Sequence, residues 1–206
     1  MNKGSGLLAN FFDPKNAPKK PTLPANVIEA VKKYSLKQHQ TDLSSWLKEA
    51  SDKNQVDADG NTLAHLAALA GHVTVFTYVV DKGVNPGVLN KKGSNTLIAL
   101  IEELPKVTHL PKMRAGYLAC IEKCFDFGVD TMCTDGLADK PAMACAVVTG
   151  DLELVKLLVK KGVSVNQNGL LGYPLTLAKK CVAVVNHELV HYLEQQGAIE
   201  NPTNGL

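Results

Sequence analysis

The stretch Asp59-Gly-Asn-Thr-Leu-Ala-His-Leu-Ala-Ala-Leu-Ala-Gly-His72 decides the fold, because it holds a turn, a helix cap and a short apolar helix in succession. The pair Asp59-Gly60 favours a turn, since aspartate bonds to nearby backbone and glycine accepts a positive φ. Thr62 stands where a hydroxyl caps a helix, and Leu63–Ala70 carries that helix. Gly71-His72 then turns the chain again. The stretch therefore predicts one short helix entered and left through tight turns.

A second helix follows this turn. Val73, Phe76, Val79 and Val80 recur at helical spacing, so we expect them to form its buried stripe. Gly83 comes just past the end of the stripe, where a left-handed cap favours glycine. One helix pair cannot bury both of its apolar faces, and stacked pairs can.

The ending of the second helix recurs along the chain. Similar apolar runs end at Gly83, Gly128, Gly162 and Gly197, which are 45, 34 and 35 residues apart. A period near 33 to 35 is typical of stacked helix pairs, and the longer interval indicates one enlarged unit. The sequence therefore predicts a repeat array.

These residues resemble a known family. Residues 59–72 resemble the opening of an ankyrin repeat, D-x-x-G-x-T-P-L-H-x-A-A-x-x-G-H, although Leu63 replaces the proline. Residues 150–163 and 172–178 are similar to parts of later units, and the resemblance covers about residues 54–199. It implies an all-α solenoid of about five helix pairs with short hairpin or loop connections. The units would span about 24–56, 57–89, 90–132, 133–166 and 167–199.

Residues 24–56 would form a degenerate N-terminal cap. Helices are expected near Ala25–Lys33 and Thr41–Ser51, the second burying Leu43, Trp46 and Leu47. Polar residues on the outer side suit a unit that ends a stack.

Two tails would flank this domain, residues 1–23 and 200–206. The N-terminal tail is rich in proline and lysine, which favours extended chain. Its apolar residues Leu7, Leu8, Phe11 and Phe12 have no place in a repeat. They either fold back over the first helix pair or present a short motif to another protein.

The third unit carries about eleven extra residues, most simply Leu104–Met113. Pro105 and Pro111 exclude one continuous helix through this segment. Two arrangements stay open: an extended loop between the two helices, or a lengthened second helix entered through that loop.

Composition excludes several classes of protein. The net charge of the chain is +2. Residues 1–40 carry seven lysines and two acidic groups, so the net charge of the remaining residues is −3. Arg114 is the single arginine, so the planar groups that read guanine are nearly absent and nucleic acid is not expected. The regularly placed charges break every apolar stretch long enough for a membrane span.

Five cysteines, an odd number, favour reduced thiols over a disulfide framework. Reduced thiols and the lack of a secretory signal predict a cytoplasmic protein. The resemblance to small ankyrin chains offers a bacterial effector translocated into a host cytosol as the alternative.

The string His187-Glu188-Leu-Val-His191 matches H-E-x-x-H, in which two histidines bind zinc and the glutamate activates water. In the ankyrin register, however, it is the second helix of the last unit. Only 15 residues follow His191, and Glu194 and Glu200 are poorly spaced as a third ligand. We therefore predict no metal, no cofactor and no enzymatic activity, and keep a zinc-dependent hydrolase as an alternative.

Cys120 and Cys124 share a helix face, with Cys133 nearby. A thiolate metal site or a redox pair is one interpretation. Burial in a helix core is the favoured one, since cysteine is among the most buried residues. For His65 the resemblance implies a hydrogen bond between neighbouring units, and so a structural role.

The resemblance places partner binding on the hairpin tips and on the exposed side of each first helix. We expect a non-enzymatic, monomeric adaptor that binds an unknown protein through the concave groove formed by these tips and helices. The further alternative is a regulatory or inhibitory subunit that masks an enzyme. The expected tip residues are Asp57, Asp59, Leu89, Asn90, Lys91, Lys92, Thr134, Asp135, Gln167 and Asn168. The expected first-helix residues are Leu66, Leu69, Cys145, Val148 and Leu177, with Tyr173 as an aromatic anchor.

Overall fold

The structure, a computed structural model, describes residues 22–34, 37–134, 139–169, 172–180 and 186–201. Helices dominate these residues. In chain order they are α1 Ala25–Lys33, α2 Lys37–Glu49, α3 Leu63–Leu69, α4 Val73–Asp81, α5 Thr96–Glu103, a 3-10 helix Leu104–Val107, α6 Pro111–Asp126, α7 Ala142–Thr149, α8 Leu152–Lys160, α9 Pro174–Lys180 and α10 His187–Gln195. None of the helices in this part of the chain is long and apolar enough to cross a membrane.

Consecutive helices pack against each other in pairs, α1 on α2, α3 on α4, and so on to α9 on α10. The first helices of these pairs also pack on one another, so α1, α3, α5, α7 and α9 form a continuous row. Both contacts are needed because each short helix is apolar on more than one side. Stacked helix pairs, as the repeat period predicts, are therefore present.

Glycines end the second helices as the sequence predicts. Gly83, Gly128, Gly162 and Gly197 have φ values of 96°, 66°, 85° and 79°, in the left-handed region. At the first of them, the amide of Val84 donates to the carbonyl of Val79 at 3.1 Å. This bond satisfies a carbonyl that the helix end would leave without a partner.

Side-chain caps begin two of the first helices. Thr62 and His65 form a reciprocal capping box at the start of α3, which confirms the predicted cap. Asn95 stands 33 positions later and its Oδ1 accepts from the amide of Ile98 at 3.0 Å. The same position of the repeat thus starts two helices with different side chains.

The buried stripe of α4 is shifted from the predicted one. Phe76 and Val79 are buried, but so is Val75, whereas Val73 and Val80 are only half-buried. The predicted stripe was wrong at these positions because α4 packs against both α3 and α6, which shifts the buried arc.

The first helix pair agrees with the prediction for α1 and differs for α2. Helix α2 begins at Lys37, four residues before the predicted start. Leu43 and Leu47 are buried, while Trp46 is half-buried and packs at the edge of the core. Residues 1–21, and with them the apolar tail residues, lie outside the described residues.

The enlarged third pair has the second of the two arrangements that the sequence left open. The 3-10 helix Leu104–Val107 follows α5 directly, and α6 then runs for 16 residues from Pro111. Proline suits the first helical position, where no amide partner is needed. The extra residues therefore lengthen the second helix at its N-terminal end.

Glycine lets this extension approach the preceding pair. Gly116 lies against the α3–α4 turn, where a Cβ atom would overlap the carbonyl oxygen of Gly71 and lie 2.9 Å from its Cα. At the next residue, the hydroxyl of Tyr117 donates to the carbonyl of Leu69 at 2.8 Å. The extension of α6 is thus fixed to the end of α3.

Arg114 fixes the same extension to the following pair. Its Nη1 lies 3.0 Å from Oδ2 of Asp151, and its Nη2 lies 2.6 Å from Oε2 of Glu153. Asp151 also caps α8 by accepting from the amide of Leu154 at 3.0 Å. Both Arg114 and Asp151 are largely buried, with 20% and 14% of their side chains exposed. The single arginine thus connects the third and fourth helix pairs.

A small antiparallel sheet corrects the all-α expectation. Strands β1 Met132–Thr134 and β2 Asp139–Pro141 pair with Cys133 opposite Lys140. They form the hairpin that precedes α7. The side chain of Thr134 and all of Asp135 lie outside the described part of this hairpin.

Candidate functional site

Hairpin loops before α3 and α5 are held by equivalent side chains. Oδ1 of Asp57 accepts from the amides of Asp59 and Asn61 at 2.9 and 2.8 Å. One repeat later, Oδ1 of Asn90 accepts from the amides of Lys92 and Ser94 at 2.9 and 3.2 Å. These two predicted partner-binding residues therefore use their oxygen atoms to shape their own loops.

The two loops are also tied to each other. The amide of Lys91 donates to the carbonyl of Asp59 at 3.0 Å, and Nδ2 of Asn90 donates to Oδ1 of Asn61 at 3.1 Å. Gly60 has no room for a Cβ, which would lie 2.7 Å from the amide nitrogen of Lys91. The loops thus form a rigid edge beside the row of first helices.

A polar cleft of about 240 Å³ lies between this edge and the exposed side of α3 and α5, and we call it the α3–α5 cleft. It brings together five of the predicted residues with others that the sequence reasoning did not single out. Its lining consists of Asp59, Asn61, Leu69, Asn90, Lys91, Lys92, Ala99, Glu102, Glu103 and Tyr117.

Lysines surround one carboxylate of this cleft. Glu103 lies 2.7 Å from Nζ of Lys106 and 3.4 Å from Nζ of Lys92. The hydrogen bond from Lys106 is the main reason that the pKa of Glu103 is lowered, with Lys92 adding to it. The carboxylate is therefore ionised and locally neutralised.

A second, apolar pocket of about 350 Å³ lies between α5 and α7, and we call it the α5–α7 pocket. Two predicted residues, Cys145 and Val148, line it. Val148 is 45% exposed, and Cys145 is half-buried with its pKa raised to about 11 by burial. The remaining lining is Glu102, Pro105, Asp139, Lys140, Pro141, Ala144, Thr149 and Gly169.

An ion pair closes one end of the α5–α7 pocket. Nζ of Lys140 lies 3.0 Å from Oε1 of Glu102, and the hydroxyl of Ser94 donates to Oε2 of Glu102 at 2.8 Å. Because Glu102 lines both the cleft and the pocket, the two concavities lie next to each other on the surface from α3 to α7.

Two predicted first-helix residues are not on this surface. Leu66 and Leu177 are 4% and 1% exposed and belong to the core, which corrects their assignment to an exposed helix face. Helix α3 has only seven residues and packs against α1, α4 and α5, so little of it faces solvent. Leu69, at its end, does reach the cleft.

The other predicted residues lie outside the cleft and the pocket. Leu89 is 36% exposed and Asn168 is exposed. Gln167 donates from Nε2 to the carbonyl oxygen and hydroxyl of Thr131 at 3.2 and 3.0 Å, which joins two loops. The amide of Tyr173 donates to Oδ1 of Asn201, and its ring is half-buried.

The H-E-x-x-H residues lie on α10, away from this surface. His187, Glu188 and His191 are exposed, and Nε2 of His191 lies 2.9 Å from Nε2 of Gln195. Among the described residues, no group of three histidine, cysteine or acidic side chains is arranged to hold a metal ion.

The paired cysteines of α6 are core residues. Cys120 and Cys124 are fully buried, and burial raises the pKa of Cys120 to about 12 and that of Cys124 further. Cys133 is also buried, and its Sγ accepts from the amide of Asn95 at 3.4 Å. Neutral thiols packed in this way support the burial interpretation over a thiolate site.

Comparison with known proteins identifies the repeat. The family described as Ankyrin repeat matches residues 59–91, which run from the first tied loop through α3 and α4 into the second. This segment of the chain is therefore similar to an ankyrin repeat. No curated protein matches it. Ankyrin repeats are in general modules for protein–protein interaction and are generally not enzymes.

Sequence reasoning missed the residues that come from other parts of the fold. In the α5–α7 pocket, Pro105 stands 40 positions before Cys145, and Lys140 stands 38 positions after Glu102. The sequence did contain a signal for Pro105, because this proline marks the inserted segment. Nothing in the local pattern showed which surface that segment would build.

Proposed function

We propose that this protein is a non-enzymatic adaptor that binds a protein partner across the α3–α5 cleft and the α5–α7 pocket. It acts as a monomer built from five ankyrin units over residues 24–199. The observation that carries the proposal is that the two concavities adjoin at Glu102, along the exposed side of the first helices.

Rigidity supports this proposal. The loops that border the cleft are tied by Lys91 and Asn90, so their side chains are presented without a large ordering cost on binding. The surface also combines apolar side chains, such as Leu69 and Val148, with charged groups at the rim. Apolar centres with polar rims are typical of protein interfaces.

The test uses affinity capture from cells that make the protein, with quantitative comparison of variants. The surface variant combines Lys91→Glu and Val148→Glu, both at exposed positions. The matched control combines Lys160→Glu and Ile199→Glu, which are exposed and line neither concavity. We expect the surface variant to lose its partners and the control to keep them.

Thermal unfolding of both variants checks that each is folded. A surface variant that recovers the same proteins as the unchanged chain contradicts the proposed function. A control that loses the same proteins contradicts the assignment to this surface.

A further inference from the structure

The walls of the α5–α7 pocket are unlike those of the α3–α5 cleft. Most of its lining is apolar, and Pro105, Pro141, Ala144 and Val148 are among the residues that form it. Pro141 packs closely against Gly169, where a Cβ atom would lie 2.6 Å from the proline ring. The pocket therefore has stiff apolar walls formed by a helix, a strand and the following loop.

Its size fits a single large side chain. The volume is about 350 Å³, whereas an apolar cavity of about 150 Å³ already accepts benzene. A leucine, methionine or phenylalanine side chain therefore has room to enter this space. Apolar anchors of this kind dominate the binding energy of many interfaces.

The charges around the pocket do not cancel. Nζ of Lys140 donates to the carbonyl of Lys92, to the hydroxyl of Ser94 and to Oε1 of Glu102, so its three donors are already used. Lys140 and Glu102 neutralise each other, and Asp139 adds one further carboxylate to the lining. Among the described residues, the lining of the pocket therefore carries one net negative charge.

We propose that the α5–α7 pocket is the anchor site for a partner segment that carries a large apolar side chain next to a lysine or arginine. This inference rests on the proposed function and specifies its partner. The apolar side chain enters between Pro105 and Val148, and the neighbouring cation lies beside Asp139. A segment with an acidic residue at that place is disfavoured by the like charge.

A displayed library of random twelve-residue peptides is the probe. Peptides selected on the full-length protein are expected to share one large apolar residue beside Lys or Arg. Changing that apolar residue to alanine, or Val148→Glu in the protein, is expected to weaken binding by about thirtyfold or more, the size of an interface hot spot. Ile199→Glu, at an equally exposed aliphatic position, leaves binding unchanged.

Two further measurements test the chemistry. Replacing the basic residue of a peptide by glutamine should weaken binding to the unchanged protein more than binding to the Asp139→Asn variant. Bound peptide should also slow alkylation of Cys145 at pH 9, read for that residue by mass spectrometry, because Cys145 lines the pocket.

The failures of the two proposals are distinguishable. Peptides that lose affinity with Lys91→Glu but not with Val148→Glu overturn the anchor site and leave the wider binding surface standing. Selected peptides insensitive to both variants, or a selection that enriches no peptide, contradict both. If binding depends on Val148 but the selected peptides show no preference for Lys or Arg beside the apolar residue, the proposed contact with Asp139 is overturned.

Discussion

Nε2 of the His65 imidazole lies 3.2 Å from the carbonyl oxygen of Ser94, 29 positions further along the chain and in the next helix pair. A carbonyl oxygen only accepts, so this ring nitrogen carries the proton. Nδ1 then accepts from the amide of Thr62 at 3.3 Å, at the start of α3. One neutral, fully buried ring thus caps its own helix and joins two pairs.

We expect His65→Ala to lower the free energy of unfolding by about 2–3 kcal/mol, because two buried partners lose their hydrogen bonds. Urea denaturation followed by circular dichroism measures this loss. The matched control is His109→Ala, at an exposed position in the loop before α6, with an expected change below about 0.5 kcal/mol. Equal losses in the two variants would show that His65 is not a structural link.

Acidification should lower the stability of the protein through the same His65 ring. Burial lowers the pKa of His65, an effect only partly opposed by the Ser94 carbonyl and the charge of Asp57. In the unfolded chain the imidazole titrates near about 6.5, so the unfolded state takes up the proton first as the pH falls. Its contribution to stability is present above about pH 6.5 and is lost as the pH falls from there towards the lower folded pKa.

We therefore expect the stability difference between the unchanged chain and His65→Gln to shrink between pH 7.5 and 5.5. Urea midpoints at both values measure it, and NMR titration of the His65 ring reads its pKa directly. A ring that titrates at or above 6.5 in the folded protein contradicts this prediction.

Gly116→Ala should destabilise the protein although it lies inside a helix. Alanine normally stabilises a helix relative to glycine by about 1 kcal/mol. Here the new methyl group meets the backbone of Gly71, which is not free to move away. We expect a net loss of about 2 kcal/mol or more, as for other overpacked sites.

The neighbouring change Ala115→Gly is the control for Gly116→Ala, since Ala115 is exposed in the same turn. It should cost only about 1 kcal/mol from helix propensity. A Gly116→Ala variant that is more stable than the unchanged chain shows that α6 does not approach the α3–α4 turn this closely.

Arg114→Met should weaken the contact between the third and fourth helix pairs. It leaves the largely buried carboxylate of Asp151 without its cation, and we expect a loss of about 1.5–3 kcal/mol, the range for hydrogen bonds to charged groups. Glu153→Gln removes only the solvent-exposed partner and should cost about 0–1 kcal/mol. Urea denaturation of both variants compares them, and equal losses would contradict the burial argument.

Local chemistry made part of this fold predictable. Gly83 and its three equivalents follow apolar helical runs, and a positive φ at such a position strongly favours glycine. Pro105 and Pro111 excluded a continuous helix because proline has no amide hydrogen to donate and its ring clashes with the preceding turn. These rules need no knowledge of distant residues.

Exposure on the first helices was not predictable in this way. Leu66 and Leu69 both come from a short apolar helix, yet Leu66 is buried and Leu69 borders the α3–α5 cleft. The difference arises from α1, α4 and α5, which together surround most of α3. Likewise, Lys140 joins the candidate site only because a strand places it beside Glu102, 38 positions earlier.

The Arg114 contact has a consequence for how the molecule can be divided. Arrays of this kind are commonly shortened pair by pair, because each pair depends mainly on its immediate neighbours. A cut between α6 and α8 would instead separate the guanidinium of Arg114 from the carboxylate of Asp151, which caps α8, and place them on different fragments. The smallest separable piece of the central region therefore contains both of these pairs, together with the pocket between them.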